Sequence, residues 1–100
     1  LRLKNKTGMA GYLLIYADWC GYCKKFKPDY IKLDYQLNEK KFSFPLFAID
    51  DKAINSARKL GPALNFKGFP TIKVVKKDGS LADYKGERSV AAMTEYIKRL

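Results

Sequence analysis

The chain has 100 residues, 47% of them apolar or aromatic, and sets 20 Lys and Arg against 10 Asp and Glu for a formal charge of +10. A chain of this length suits one globular domain that buries roughly 60 to 65% of its unfolded surface, and it excludes a second domain. No apolar run approaches the ~20 residues that cross a bilayer, which excludes a transmembrane helix. The basic residues are mostly Lys and are scattered through "KNK", "KKFK", "NEKK", "RKL", "VVKKDG" and "IKRL". Lys positions phosphates as a point charge but does not read bases in bidentate fashion, so the pattern predicts a solvated surface without sequence-specific nucleic-acid binding. Attraction to an acidic partner or a membrane surface stays open.

Residues 1–10 read as an N-terminal extension or edge element of a single domain over 1–100. They contain no apolar core long enough for a secretory signal, and the C-terminus carries no retention tetrapeptide, so a secretory-pathway lumen and the cytoplasm are both open. "GYLLIYA" is a short apolar run of the kind expected for a strand buried on both faces. The period then changes. Tyr22, Phe26, Tyr30, Leu33 and Leu37 fall on one face of a helix predicted over Gly21 to Lys40, with Pro28 expected to kink it. "FPLFAID" reads as a second buried strand, and "DKAINSARKLG" as a short helix ended by Gly61 and Pro62. "TIKVV" and "SLADYK" form a hairpin across "KKDG", where Gly79 takes positive φ at little cost. Val90, Met93, Ile97 and Leu100 mark a last helix capped by Ser89. The order strand, helix, strand, helix, hairpin, helix implies an α/β domain with a central mixed sheet flanked by helices on both faces.

The only two cysteines stand in "YADWCGYCKK". That places Cys20 at the carboxyl end of a buried strand and Cys23 in the first turn of the following helix. Unpaired N–H groups at a helix N-terminus stabilise an anion, so a thiol there ionises more readily, and the thiolate is the nucleophile of disulfide exchange. Cys20 is expected to be the exposed attacking thiol, with a depressed pKa, and Cys23 the inward resolving one. Lys24 and Lys25 add cations, and Asp18 an opposing anion. Zinc bound within one chain by Cys and His needs four ligands, and the sequence offers two Cys and no His. An iron–sulfur cluster shared between two chains meets the ligand count, but nothing else points to it. A structural disulfide across four residues restrains little of the unfolded chain. Redox exchange is the reading that uses all the neighbouring features, and it requires no cofactor.

"YADWCGYCKKFKP", "GFPTIKVVKKDG" and "YKGERS", in that order, resemble the thioredoxin fold, and most of all the catalytic domains of protein disulfide isomerases, from about Gly11 to Leu100. The resemblance implies a thiol–disulfide oxidoreductase, monomeric, acting on protein thiols or disulfides, with a reductase or glutathione as a further partner. It implies that Trp19 borders the active site and that Pro28 matches the family's helix proline. The Phe69–Pro70 bond is implied to be cis, with Pro70 against the cysteine pair and the Phe69 backbone N–H and C=O free to pair with an extended substrate. Trp19, Gly21, Tyr22, Phe69, Pro70 and Gly86 are the substrate-facing residues on this basis. Arg88 matches an arginine implied to promote ionisation of the inner cysteine, and Lys24 is the second charge expected to tune the pair.

Two departures stand out. The family usually carries a buried acid six residues before the first cysteine, where this chain has Leu14, and the accompanying Lys of the next strand is expected to be replaced by Leu46. Without that base, deprotonation of Cys23 is expected to be slow. Tyr22 lies where isomerases have His and thioredoxins Pro, and it resembles glutaredoxin centres. Roughly 90 mV separates isomerase from thioredoxin potentials, about 4 kcal/mol for two electrons, so this position bears on direction. A glutathione-dependent reductase and a non-catalytic binding module of the same fold are the alternatives.

Overall fold

The computed structural model describes residues 10–38, 44–56 and 68–100. Residues 1–9 of the expected N-terminal extension over 1–10, the last two residues of the first helix and the Gly61–Pro62 stop of the second lie outside these residues. Strand β1 spans Gly11–Tyr16 at the centre of the sheet. It runs parallel to β2, Leu46–Asp50, and antiparallel to β3, Thr71–Val75, which pairs in turn with β4, Leu81–Asp83. The order β2-β1-β3-β4 makes a mixed sheet. Partners on both sides bury all of Gly11 to Ile15, as the continuous apolar run requires. Side chains alternate across the sheet with period two. Tyr12 and Leu14 enter a core with Ile72 and Val74, while Leu13 and Ile15 join Val75 on the other face.

Helix α1, Gly21–Asn38, contains Pro28 and lays Phe26, Tyr30, Leu33 and Leu37 into the core on the Tyr12 face. Full burial of Leu33 and Leu37 contributes about 1.5–3 kcal/mol each. The Tyr30 hydroxyl donates to the Phe47 carbonyl at 2.7 Å and approaches that of Tyr12 at 3.2 Å, which ties α1 to both β2 and β1. Helix α3, Val90–Lys98, packs against α1 through Met93 and Ile97. Ser89 caps it by accepting the Ala92 N–H, and the Tyr12 hydroxyl donates to the Met93 carbonyl. Short helix α2, Asp51–Ser56, follows β2 directly.

Three expectations change. The stripe of α1 starts at Cys23, because Tyr22 is 71% exposed at the first turn, where no described element covers it. Leu100 follows the end of α3 and is 48% exposed, so it is not part of that helix's buried face. "FPLFAID" yields a half-buried strand, since β2 ends the described sheet and pairs on one side only. The hairpin forms as its residues require: Gly79 adopts φ 88° and its N–H reaches the Lys76 carbonyl at 2.8 Å. Within the hairpin, buried Lys73 of β3 is ion-paired with Asp83 of β4. At the same end of the sheet as the hairpin turn Gly11, registered with Val75, is needed for space, because a Cβ there would stand 1.9 Å from the Pro45 carbonyl oxygen.

Candidate active site

The carboxyl end of β1 passes through a turn, Ala17 to Cys20, straight into α1. The Cys20 N–H bonds the Ala17 carbonyl at 3.1 Å, and the Cys20 carbonyl accepts the first-turn N–H of Lys24 at 3.1 Å. This wraps the helix start around the outer sulfur. The Cys23 N–H donates to Cys20 Sγ at 3.2 Å, and Cys20 Sγ lies 3.6 Å from the Phe69 carbonyl. Both cysteines are free thiols.

Expected exposure of Cys20 is corrected. It is 6% exposed and Cys23 4%, because Ala17, Tyr16 and Phe69 pack against the pair. The difference between the sulfurs is one of hydrogen bonding. A thiol hydrogen bond from Cys23 is the largest influence on Cys20 and lowers its pKa; burial opposes it, and the Cys23 and Tyr22 backbone N–H groups and the Arg88 charge lower it further. Cys23 moves the other way, raised first by burial and then by the same hydrogen bond to Cys20. The two titrate as a pair, with the proton retained on Cys23.

The groove beside Cys20 encloses about 370 Å³ between Tyr22, Gly68, Phe69, Pro70, Thr71 and Arg88. The Phe69–Pro70 peptide is cis. Trp19, 71% exposed, stands edge-on to Phe69 with ring centroids 5.5 Å apart. Its indole N–H donates to Asp51 at the start of α2, 3.1 Å away. Arg88 Nη1 reaches the Pro70 carbonyl at 3.5 Å, and its charge favours the thiolate at both sulfurs. Gly21 opens α1 beside the cysteine with free space where a Cβ would be.

Several assigned roles shift. The Phe69 carbonyl is not free, since it faces the Cys20 sulfur. Gly86 lines an adjoining hollow that shares Pro70, Thr71 and Arg88 with the groove, one step further from the sulfurs. The cation acting on the pair is Arg88; Lys24 is not among the influences on either thiol and instead borders a hollow behind Cys23. Across the parallel ladder Leu14 is registered with Ala48, and Leu46 with Tyr12, so the residue facing Leu14 is Ala48. The Tyr12 N–H to Pro45 carbonyl bond, 3.1 Å, stands at the entry to this pairing. Asp51 and Thr71 belong to the site and were not anticipated; nothing local in the sequence marks a partner for Trp19 that is 32 positions away. Among the described residues no group of three His, Cys, Asp or Glu is placed to hold a metal, and no helix is long and apolar enough to cross a membrane.

A strand-to-helix thiol pair facing a cis-proline groove, on a sheet of order β2-β1-β3-β4, is the arrangement of the thioredoxin class. The thioredoxin family model matches residues 9–99, and the chain belongs to that family. Its relatives within the family are protein disulfide-isomerases. The chain is 42% identical over 88 residues to protein disulfide-isomerase A4 of Homo sapiens, covering 88% of this chain and 13% of that one. It is 35% identical over 85 residues to a protein disulfide-isomerase of Ricinus communis, covering 84% of this chain and 17% of that one. It therefore spans less than a fifth of the length of these relatives. The first thioredoxin domain of mouse protein disulfide-isomerase A4 superposes with a TM-score of 0.69 at 30% identity, over 96% of this chain and 77% of that one. Human ERp44 shares the fold, with a TM-score of 0.75 at 21% identity over 93% of this chain and 28% of that one.

Proposed function

We propose that this domain exchanges disulfides with protein substrates, Cys20 attacking and Cys23 resolving. The observation that carries this reading is the opposed ionisation of two adjacent thiols: Cys20 accepts the Cys23 N–H and faces the groove at Phe69 and Pro70, while Cys23 keeps its proton beneath it. In the reductive direction the Cys20 thiolate attacks one sulfur of a substrate disulfide, and the other substrate sulfur leaves with the bonding pair and takes a proton. Cys23 then loses its proton and attacks Cys20 Sγ, which closes the Cys20–Cys23 disulfide and releases the second substrate thiol. The oxidative direction is the reverse. The exposed faces of Trp19 and Tyr22 and the open groove suit an extended polypeptide segment.

Trapping tests the assignment. Cys23→Ser, exposed to a disulfide-bonded protein, should accumulate a mixed disulfide through Cys20. Cys20→Ser should accumulate none. Equal trapping by both variants would refute the division of roles.

A further inference from the structure

Behind the cysteine pair, on the side away from the substrate groove, a hollow of about 410 Å³ reaches Cys23. It is lined by buried Leu14 and Ala17, by exposed Ala48, and by Tyr16, Asp18, Lys24 and Lys27 at its rim. At about 30 Å³ of liquid volume per water, the space exceeds what a single water fills and admits a small solute. The resolving step needs a base at this place: Cys23 is the thiol whose proton is held, and it must lose that proton before it can attack.

Among the described residues, no carboxylate is among the influences on the Cys23 thiol. β1 contributes Leu14 and the Tyr16 phenol, β2 contributes Ala48, and α1 contributes Lys24 and Lys27. Arg88 acts from before α3 as a cation, and Cys20 is the reaction partner. Asp18, the one carboxylate on the rim, is solvent-exposed and is not among the influences on the Cys23 thiol. Lys24 and Lys27 border the hollow together with Asp18, and Asp50 and Asp51 act on Tyr16 beside it, so it is the formal charge of +10 over the whole chain that favours entry of an anion.

We infer that the hollow between Leu14, Ala48 and Cys23 admits a small oxyanion base from solution, of the carboxylate or phosphate class, which takes the Cys23 proton in the resolving step. The S–H bond of Cys23 breaks and its proton passes to an oxygen of the base. The freed electron pair forms the bond to Cys20 Sγ, and the Cys20–substrate S–S bond breaks with its pair leaving on the substrate sulfur. The protonated base returns to solvent. The substrate disulfide has then gained two electrons and the cysteine pair has lost them. This inference rests on the exchange reading above.

Single-turnover kinetics with a disulfide whose first leaving thiol absorbs light separates the two steps. The burst reports attack by Cys20, and closure of the Cys20–Cys23 bond reports resolution. At fixed pH and ionic strength, raising acetate or phosphate from about 10 to 200 mM should speed resolution at least two- to threefold and leave the burst unchanged. Ala48→Glu sets a carboxylate on the exposed wall opposite Leu14 and should make resolution faster and flat with added base. Ala48→Met fills the hollow and should lower the slope. Resolution that is flat with acetate and phosphate in the parent chain would overturn the inference, as would a slope that survives Ala48→Met. Slow resolution in Asp18→Asn with no dependence on added base would also overturn it, by making Asp18 the acceptor. Absence of the burst itself would instead overturn the exchange reading.

Discussion

The two hollows that flank the cysteine pair are similar in size, about 370 and 410 Å³, and opposite in chemistry. The groove on the Cys20 side is bordered by aromatic rings, a proline and the Arg88 guanidinium, which reaches the Pro70 carbonyl. The hollow on the Cys23 side is walled by a leucine and two alanines with charges only at its rim. One helix start therefore holds two buried sulfurs with different neighbours. The lesson is that position at the helix N-terminus does not by itself decide which thiol is acidic. Cys20 stands just before the helix and Cys23 in its first turn, yet the N–H groups and the Cys23 thiol converge on Cys20 while burial dominates at Cys23.

The harshest way to break the contrast is to remove one sulfur. Cys20→Ser should reduce disulfide exchange by on the order of a thousandfold or more, as for loss of a nucleophile, measured as turnover of a protein disulfide. Residual turnover near that of the parent would place the nucleophile elsewhere. Next in size is the frame that sets both hollows. Tyr30→Phe leaves the Phe47 carbonyl without its buried hydroxyl donor and should destabilise the fold by about 1–2 kcal/mol in denaturant titration.

A smaller effect tests the charge. The rate of alkylation follows the thiolate fraction, so modification of Cys20 should rise with pH and reach its midpoint below the ordinary thiol range, with Cys23 reacting only above it. Arg88→Met removes a cation that favours both thiolates. Both midpoints should move up, and the alkylation rate of Cys20 at neutral pH should fall by about two- to fivefold, the size expected for an exposed charge. A midpoint that moves down would show that Arg88 acts otherwise. Smallest is the indole anchor. Asp51→Ala frees the Trp19 N–H and should raise KM for a peptide substrate about twofold, with no change toward a small disulfide that does not reach the groove rim.

What was legible from sequence followed range. Cys20 and Cys23, the stripe through Phe26, Tyr30, Leu33 and Leu37, the Ser89 cap and the Gly79 turn all depend on residues within a few positions of one another, where helix and turn geometry are nearly invariant. Tyr22 also lay on the expected periodic face, and it failed because periodicity identifies a face and cannot say how far the neighbouring element extends to cover it. The neighbour of Leu14 in the next strand, Ala48, is a related case, because interstrand register is not contained in either strand alone. The Trp19 to Asp51 contact, the Cys20 sulfur against the Phe69 carbonyl and the Arg88 reach to Pro70 join segments far apart in the chain.

By itself the sequence determined the chemistry on offer: two thiols at a strand-to-helix junction, no histidine to compete for them, and enough apolar periodicity for one α/β domain. Only the tertiary structure decided which thiol is the more acidic, that the groove beside Cys20 is bordered by Phe69 and Pro70, and that a hollow adjoins Cys23. The physical reason is that hydrogen-bond convergence, burial and cavities are properties of atoms brought together across the chain, and local spacing carries no information about them.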